Sequence, residues 1–205
     1  MPSILNPAPP WSLERSAYVS LWHGCLNSDR VNIEENGIDP TLGRVDADFG
    51  RGFYTTTVER QARQWAWQRF LLWNAGPANE SVRNQPVVMR FRVPRHGRKG
   101  RIRGLDRLFS LHFVLAGSDN EDYWSFVQHC RQSTAEAFRD HGRPPSGWYD
   151  LVTGPVSAFW QQRVAMQDSD QVGFHTSVGA EILNKLIRSG RRGETNDYSW
   201  SFVYA

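Results

Sequence analysis

Two short stretches bring chemistry-bearing side chains next to glycine. Leu21-Trp-His-Gly24 sets His23 against Gly24. Asp48-Phe-Gly-Arg-Gly-Phe-Tyr-Thr-Thr-Thr57 sets two glycines around Arg51, then runs an aromatic pair into three threonines. Glycine lets the backbone turn tightly and lets another group approach closely. Side chains and backbone amides of the second stretch therefore face a common space. Arg51 reads equally as a diphosphate contact or as a loop arginine, and Asp48 reads as a turn-former. Cys25 and His23 are two apart on a strand and share a face. A nucleophilic Cys25 is thus geometrically allowed, but it has no basic neighbour except His23 and no orienting motif. Late in the chain, Gln171, Gly173 and His175 share a strand face and Asp170 points the other way. His175 reads first as a structural histidine and second as a border of the site. No His, Cys or carboxylate cluster has metal-ligand spacing, so no metal is expected.

These residues need elements to hold them. Tyr18 to Trp22 has strand composition and puts His23 at its C-terminal end. Asn27 to Glu35 reads as a short helix stopped by Asn36-Gly37. Phe53 to Thr57 is a strand, followed by a helix from Val58 to about Asn74 with Thr57 as N-cap and Glu59 in its first turn. Ala62, Trp65, Ala66, Arg69, Leu72 and Trp73 fall on one face of that helix. Pro86 to Val93 alternates apolar and basic residues as a half-buried strand does, and Pro94 ends it. Arg107 to Ala116 reads as a strand or a strand and turn, and Asn120 to Arg131 as a helix that Thr134 to Arg139 extends. His141 to Gly147 is a break. Trp148 to Thr153 is a strand stopped by Gly154-Pro155, and Ala158 to Val164 a short helix. Gln171 to His175 is a strand capped by Thr176 or Ser177 into a helix over Val178–Arg188. Tyr198 to Tyr204 is a last strand. Strands and helices mix without regular alternation, which argues for an α+β fold.

The totals are those of an ordinary globular protein: 40% hydrophobic and 22% charged residues over 205 positions. One domain is expected over residues 17–205, after a proline-rich, flexible arm over residues 1–16. The net charge is only +3, but Arg90 to Arg107 holds seven arginines and one lysine against Asp106. That stretch reads as a solvated loop or as a phosphate contact. Cys25 and Cys130 read as reduced cysteines of a cytoplasmic protein. No apolar run nears the roughly 20 residues that span a bilayer. The first ten residues lack the build of a signal peptide.

The motifs carry a resemblance. His-Gly after an apolar strand, then Phe-Gly-Arg-Gly-Phe-Tyr, resembles the ADP-ribosyltransferase superfamily, in the branch of diphtheria toxin and the poly(ADP-ribose) polymerases. Tyr149-Asp-Leu-Val-Thr-Gly-Pro-Val156 and Asp170-Gln-Val-Gly-Phe-His-Thr176 extend the match to residues 18–185. The nearest likeness is to a family of small bacterial toxin-like domains found beside antitoxin-like genes. The resemblance implies two packed, mainly antiparallel sheets that form an NAD groove, flanked by helices. It implies NAD as substrate and cleavage of the nicotinamide–ribose bond through an oxocarbenium-like transition state.

In that frame His23, Tyr54 and Gln171 are the catalytic set. His23 would bond a hydroxyl of the adenosine-side ribose, and Gly24 would offer its backbone to the nicotinamide amide. Tyr54 would stack on the nicotinamide ring. Arg51, Gly52 and Thr55 would line the same site. Trp65 reads either as a core residue or as a nicotinamide platform. Gln171 stands where that branch usually carries Glu; it can bond the 2′-hydroxyl of the nicotinamide ribose but brings no negative charge. Asp168 or Asp170 could supply charge instead, though Asp170 points away from the face of Gln171. Poly(ADP-ribose) elongation is therefore not expected. The leading expectation is a mono-ADP-ribosyltransferase toxin acting on a protein or nucleic-acid acceptor and held by an antitoxin partner. The alternatives are an NAD hydrolase, a catalytically weak NAD- or ADP-ribose-binding module, and, least, an RNA-binding nuclease toxin using His23 or His175.

Overall fold

The computed structural model describes residues 9–11, 16–76, 84–97, 104–113, 117–132, 148–191 and 200–205. Among these the chain forms four helices and nine strands, mostly in antiparallel sheets, an α+β fold. The calls over 134–139 and 141–147 lie outside the described residues, as does much of the basic stretch. Chain contacts divide the molecule into two units that interleave along the sequence. One takes Met1–Ser16, Asp39–Tyr54 and Asp106–Glu181; the other takes Ala17–Ile38, Thr55–Leu105 and Ile182–Ala205.

The second unit is built on a three-stranded sheet. Strand β1 (Tyr18–Leu26) pairs antiparallel with β3 (Pro86–Pro94), and β3 with β9 (Trp200–Tyr204). β1 runs three residues beyond Trp22's neighbour His23, so His23 and Gly24 sit within the strand and not at its end. The continuous partner β3 explains this, since pairing extends to Leu26↔Pro86. Helix α1 (Asn27–Asn36) follows directly and stops at Gly37, whose φ of +82° suits glycine. Beyond it, the Asn184 amide accepts from Ile38 N–H at 2.6 Å and donates to Ile38 C=O at 3.0 Å.

Helix α2 (Glu59–Asn74) begins one residue later than composition suggests. Its N-cap is Val58, with no side-chain cap. Thr56, not Thr57, serves the turn: its backbone pairs with Trp22 and its hydroxyl accepts from Val58 N–H at 3.0 Å. Only part of the expected apolar face is buried. Ala62 and Ala66 are covered, in a cluster with Val88 and Trp22. Trp65 is 49% exposed and Leu72 78%. The reason is steric. The helix meets the sheet through small residues only, so its backbone comes too close to seat a flanking tryptophan beneath it.

The first unit holds most of a four-stranded sheet in the order β2-β8-β5-β4. β2 is Phe53–Thr55, its last residue counted with the other unit; β4 is Ser110–His112, β5 Leu151–Gly154 and β8 Gln171–Phe174. β5 and β8 are antiparallel, with Gly154 opposite Gln171; β4 and β5 are parallel. Helix α3 (Glu121–Gln132) packs an aromatic core of Phe49, Tyr123, Trp124, Phe126 and Val127 with Val152. Asn120 caps it, accepting from Tyr123 N–H at 3.1 Å. Helix α4 (Ser177–Arg191) is capped by Thr176, which accepts from Gly179 N–H at 3.1 Å.

Two further calls need correction in this unit. Strand β5 starts at Leu151, because Asp150 is a junction whose carboxylate accepts from Phe109 N–H and the Thr176 hydroxyl. The expected helix over Ala158–Val164 is a hairpin instead: β6 (Ser157–Phe159), a 3-10 turn over Trp160–Gln162, and β7 (Val164–Ala165). Arg163 reverses the chain with φ of +55°, and Met166 N–H closes the hairpin on Val156 C=O at 2.8 Å. Of residues 9–11, Trp11 is buried, edge-on to His112. No helix among the described residues is long and apolar enough to cross a membrane.

Candidate functional site

The expected site residues fall into both units. His23, Gly24, Thr55 and Trp65 belong to the second; Arg51, Gly52, Tyr54 and Gln171 belong to the first. Within the second unit, His23 is half-buried on β1, opposite Met89. Gly24 has a packing reason of its own. A Cβ there would lie 2.1 Å from the Ala62 carbonyl oxygen and 2.9 Å from Ala66 N, so only glycine lets α2 lie against β1. Cys25 is buried, and burial pushes its thiol up to about 12, which removes the thiolate a nucleophile needs. Thr55 is buried at the end of β2, and Trp65 is half-exposed and not a core residue.

The first unit brings its residues together tightly. The Tyr54 hydroxyl accepts from Phe49 N–H at 3.1 Å and donates to Gly50 C=O at 2.6 Å. Burial raises its pKa well above the ordinary tyrosine value. Both facts commit the hydroxyl to the loop and leave the ring as the part that can meet a ligand. Edge-on to that ring stands His175, with centroids 5.9 Å apart. Its Nδ1 must be protonated, because it donates to Arg51 C=O at 2.8 Å. Its Nε2 is buried with no hydrogen-bond partner. Burial holds the imidazole's pKa down near 4, so it is neutral. The imidazole is wedged between two glycines. A Cβ on Gly52 would lie 2.7 Å from Nδ1, and one on Gly173 would lie 2.7 Å from Nε2. Gly52 is thus glycine because His175 packs on it, while the Arg51 side chain stands exposed.

Gln171 is 8% exposed and takes part in a polar network. Its Nε2 donates to Asp48 Oδ2 at 2.7 Å and to Pro155 C=O at 2.9 Å. The same Oδ2 accepts from Ser157 N–H at 2.8 Å. Oδ1 of Asp48 faces Arg131, 2.6 Å from one terminal guanidinium nitrogen. Tyr123 donates its hydroxyl to Pro155 C=O at 2.9 Å, so that carbonyl is shared. Asp48 is therefore no mere turn-former; it is 4% exposed and is the hub of four donors. Asp168 and Asp170 enter none of these bonds.

Sequence reasoning missed Asp48 and Arg131 as a pair. Arg131 stands 83 residues from Asp48 and on another element, so no spacing could join them. Among the described residues, no three His, Cys, Asp or Glu groups gather as metal ligands. No protein-family profile matches the chain, and neither a curated protein nor a solved structure matches it.

Proposed function

We propose that the chain is an NAD-dependent mono-ADP-ribosyltransferase of bacterial toxin type, with the ADP-ribosyltransferase fold that its motifs resemble. What most supports the reading is the first unit's cluster. Tyr54 and Gln171, named from motif resemblance alone, lie on the neighbouring strands β2 and β8, each with its polar atoms disciplined by bonds to the loop that carries Asp48. An aromatic ring with its hydroxyl tied back suits stacking on a flat pyridinium. An amide with its donors tied back suits accepting a bond from a ribose hydroxyl.

In this reading the bond between nicotinamide N1 and ribose C1′ breaks and its electron pair passes to the ring nitrogen. The acceptor's nucleophile bonds to C1′, and its proton leaves to solvent. Tyr54 orients the ring and Gln171 holds the 2′-hydroxyl, both within the first unit. The exposed Arg51 side chain, in the same unit, borders the substrate. The acceptor is a protein or a nucleic acid, and an antitoxin partner restrains the activity. The amide at position 171 also favours a second reading, an NAD-binding module that turns over weakly or not at all.

The test is incubation of the purified protein with radiolabelled NAD and bacterial lysate, beside His23→Ala and Gln171→Ala. Label that survives nuclease but not protease marks a protein acceptor, and the reverse marks nucleic acid. Nicotinamide release without label marks hydrolysis. Binding of NAD by calorimetry without release selects the binding module, and neither binding nor release defeats both readings.

A further inference from the structure

We propose that Asp48 is the positioning residue that makes Gln171 a one-way hydrogen-bond acceptor, with Arg131 holding the Asp48 carboxylate in place. An amide side chain is symmetric in shape, and either end can be turned toward a ligand. Here the choice is forced. Asp48 Oδ2 and Pro155 C=O are acceptors only, so each must face the –NH2 end of Gln171. Both hydrogens of that group are then used, and Oε1 remains as the atom that can meet a ligand. A flip would set Oε1 against a carboxylate and a carbonyl oxygen in a buried place, which is strongly disfavoured. Asp48 is held in turn by Arg131 and Ser157 N–H. The chain thereby specifies a ligand group that donates, such as a hydroxyl. It also sets a buried carboxylate 2.7 Å behind the amide, where it polarises Oε1 as positive charge grows on the sugar. The Gln171 assignment rests on the proposed function; the forced orientation does not.

The experiment reads the two separately. In ¹⁵N spectra, the Gln171 side-chain amide is assigned by its loss in Gln171→Ala. In the native protein it is expected to exchange with solvent at least tenfold more slowly than exposed glutamines, and in Asp48→Asn that protection is lost. An unprotected amide in the native protein overturns the proposal, even if Asp48→Asn does not fold. So does protection that Asp48→Asn leaves intact.

The kinetic arm follows nicotinamide release. Asp48→Asn should lower kcat ten- to a hundredfold with KM for NAD within threefold. The same change made on Gln171→Ala should cost nothing more, because Asp48 acts through Gln171. Equal losses in both backgrounds overturn that link. A native protein that neither binds nor cleaves NAD defeats the proposed function, and the amide measurement then decides this inference on its own.

Discussion

The His23–Gly24 segment of β1 and the Asp48–Gln171 cluster around β8 both combine glycine with polar side chains, yet their glycines and polar groups answer to different forces. At Gly24 the constraint is steric and comes from the backbone of α2, through Ala62 and Ala66. Packing alone accounts for that residue type. At Asp48–Gln171 the constraint is electrostatic. Positions 48 and 171 are both buried, yet they hold a carboxylate and an amide bonded to each other, with the partly exposed Arg131 on the carboxylate's other oxygen. Buried ion pairs often stabilise no better than apolar replacements of like volume. A motif glycine is thus weak testimony for a ligand, and a buried amide with both donors bonded and its oxygen left over is stronger.

Removing Asp48 should have the largest effect on stability. Asp48→Ala removes the partner of Arg131 and of Ser157 N–H and one of the two acceptors of Gln171 Nε2; breaking a buried pair from one side costs about 3–5 kcal/mol, and the partial exposure of Arg131 sets the value near the lower end. At about 3 °C per kcal/mol for a chain of this size, the thermal midpoint should fall by about 10 °C. A fall near zero would mean the network contributes nothing. Gly24→Ala comes next. Its Cβ meets a backbone carbonyl at 2.1 Å, which cannot rotate away, so overpacking should cost about 3 kcal/mol by denaturant titration. A neutral result would show that α2 is not seated as described, and would reopen a ligand reason for Gly24.

The two buried histidines give a pH signature. His175 and His112 have pKa values held by burial near 4 in the folded chain, against an ordinary 6.5. Between those values the unfolded chain binds more protons, so stability rises with pH across the window. It is full above 6.5 and is lost as pH falls toward 4. The slope is at most about 1.4 kcal/mol per pH unit for each histidine. Thermal midpoints read from pH 7 to 4 should fall accordingly, and His175→Gln should flatten the curve; an unchanged slope would place His175 in solvent. The smallest effect belongs to the α4 cap: Thr176→Ala should cost about 1 kcal/mol by the same titration.

How much of this was legible depends on the range of the interaction. The stops and caps of α1, α3 and α4 are local, so Gly37, Asn120 and Thr176 could be read from neighbours in sequence. The strands around Gln171 and Tyr54 were legible from their aromatic and β-branched composition. The hairpin over 157–165 was not, because it turns on Arg163 in a left-handed conformation that no glycine marks. Trp65 misled for a related reason: the helical face was right, but its width depended on how closely α2 meets Gly24. The role of Asp48 required Arg131 and Gln171, which come from two other elements.

The central claim is that Gln171 meets NAD within a built polar site. Its most direct test is nicotinamide release from NAD by native protein and by Gln171→Ala, with thermal midpoints matched to show that both are folded. The account predicts release by the native protein and a loss of about a hundredfold or more in the variant. A folded Gln171→Ala protein that releases nicotinamide at the native rate would contradict it.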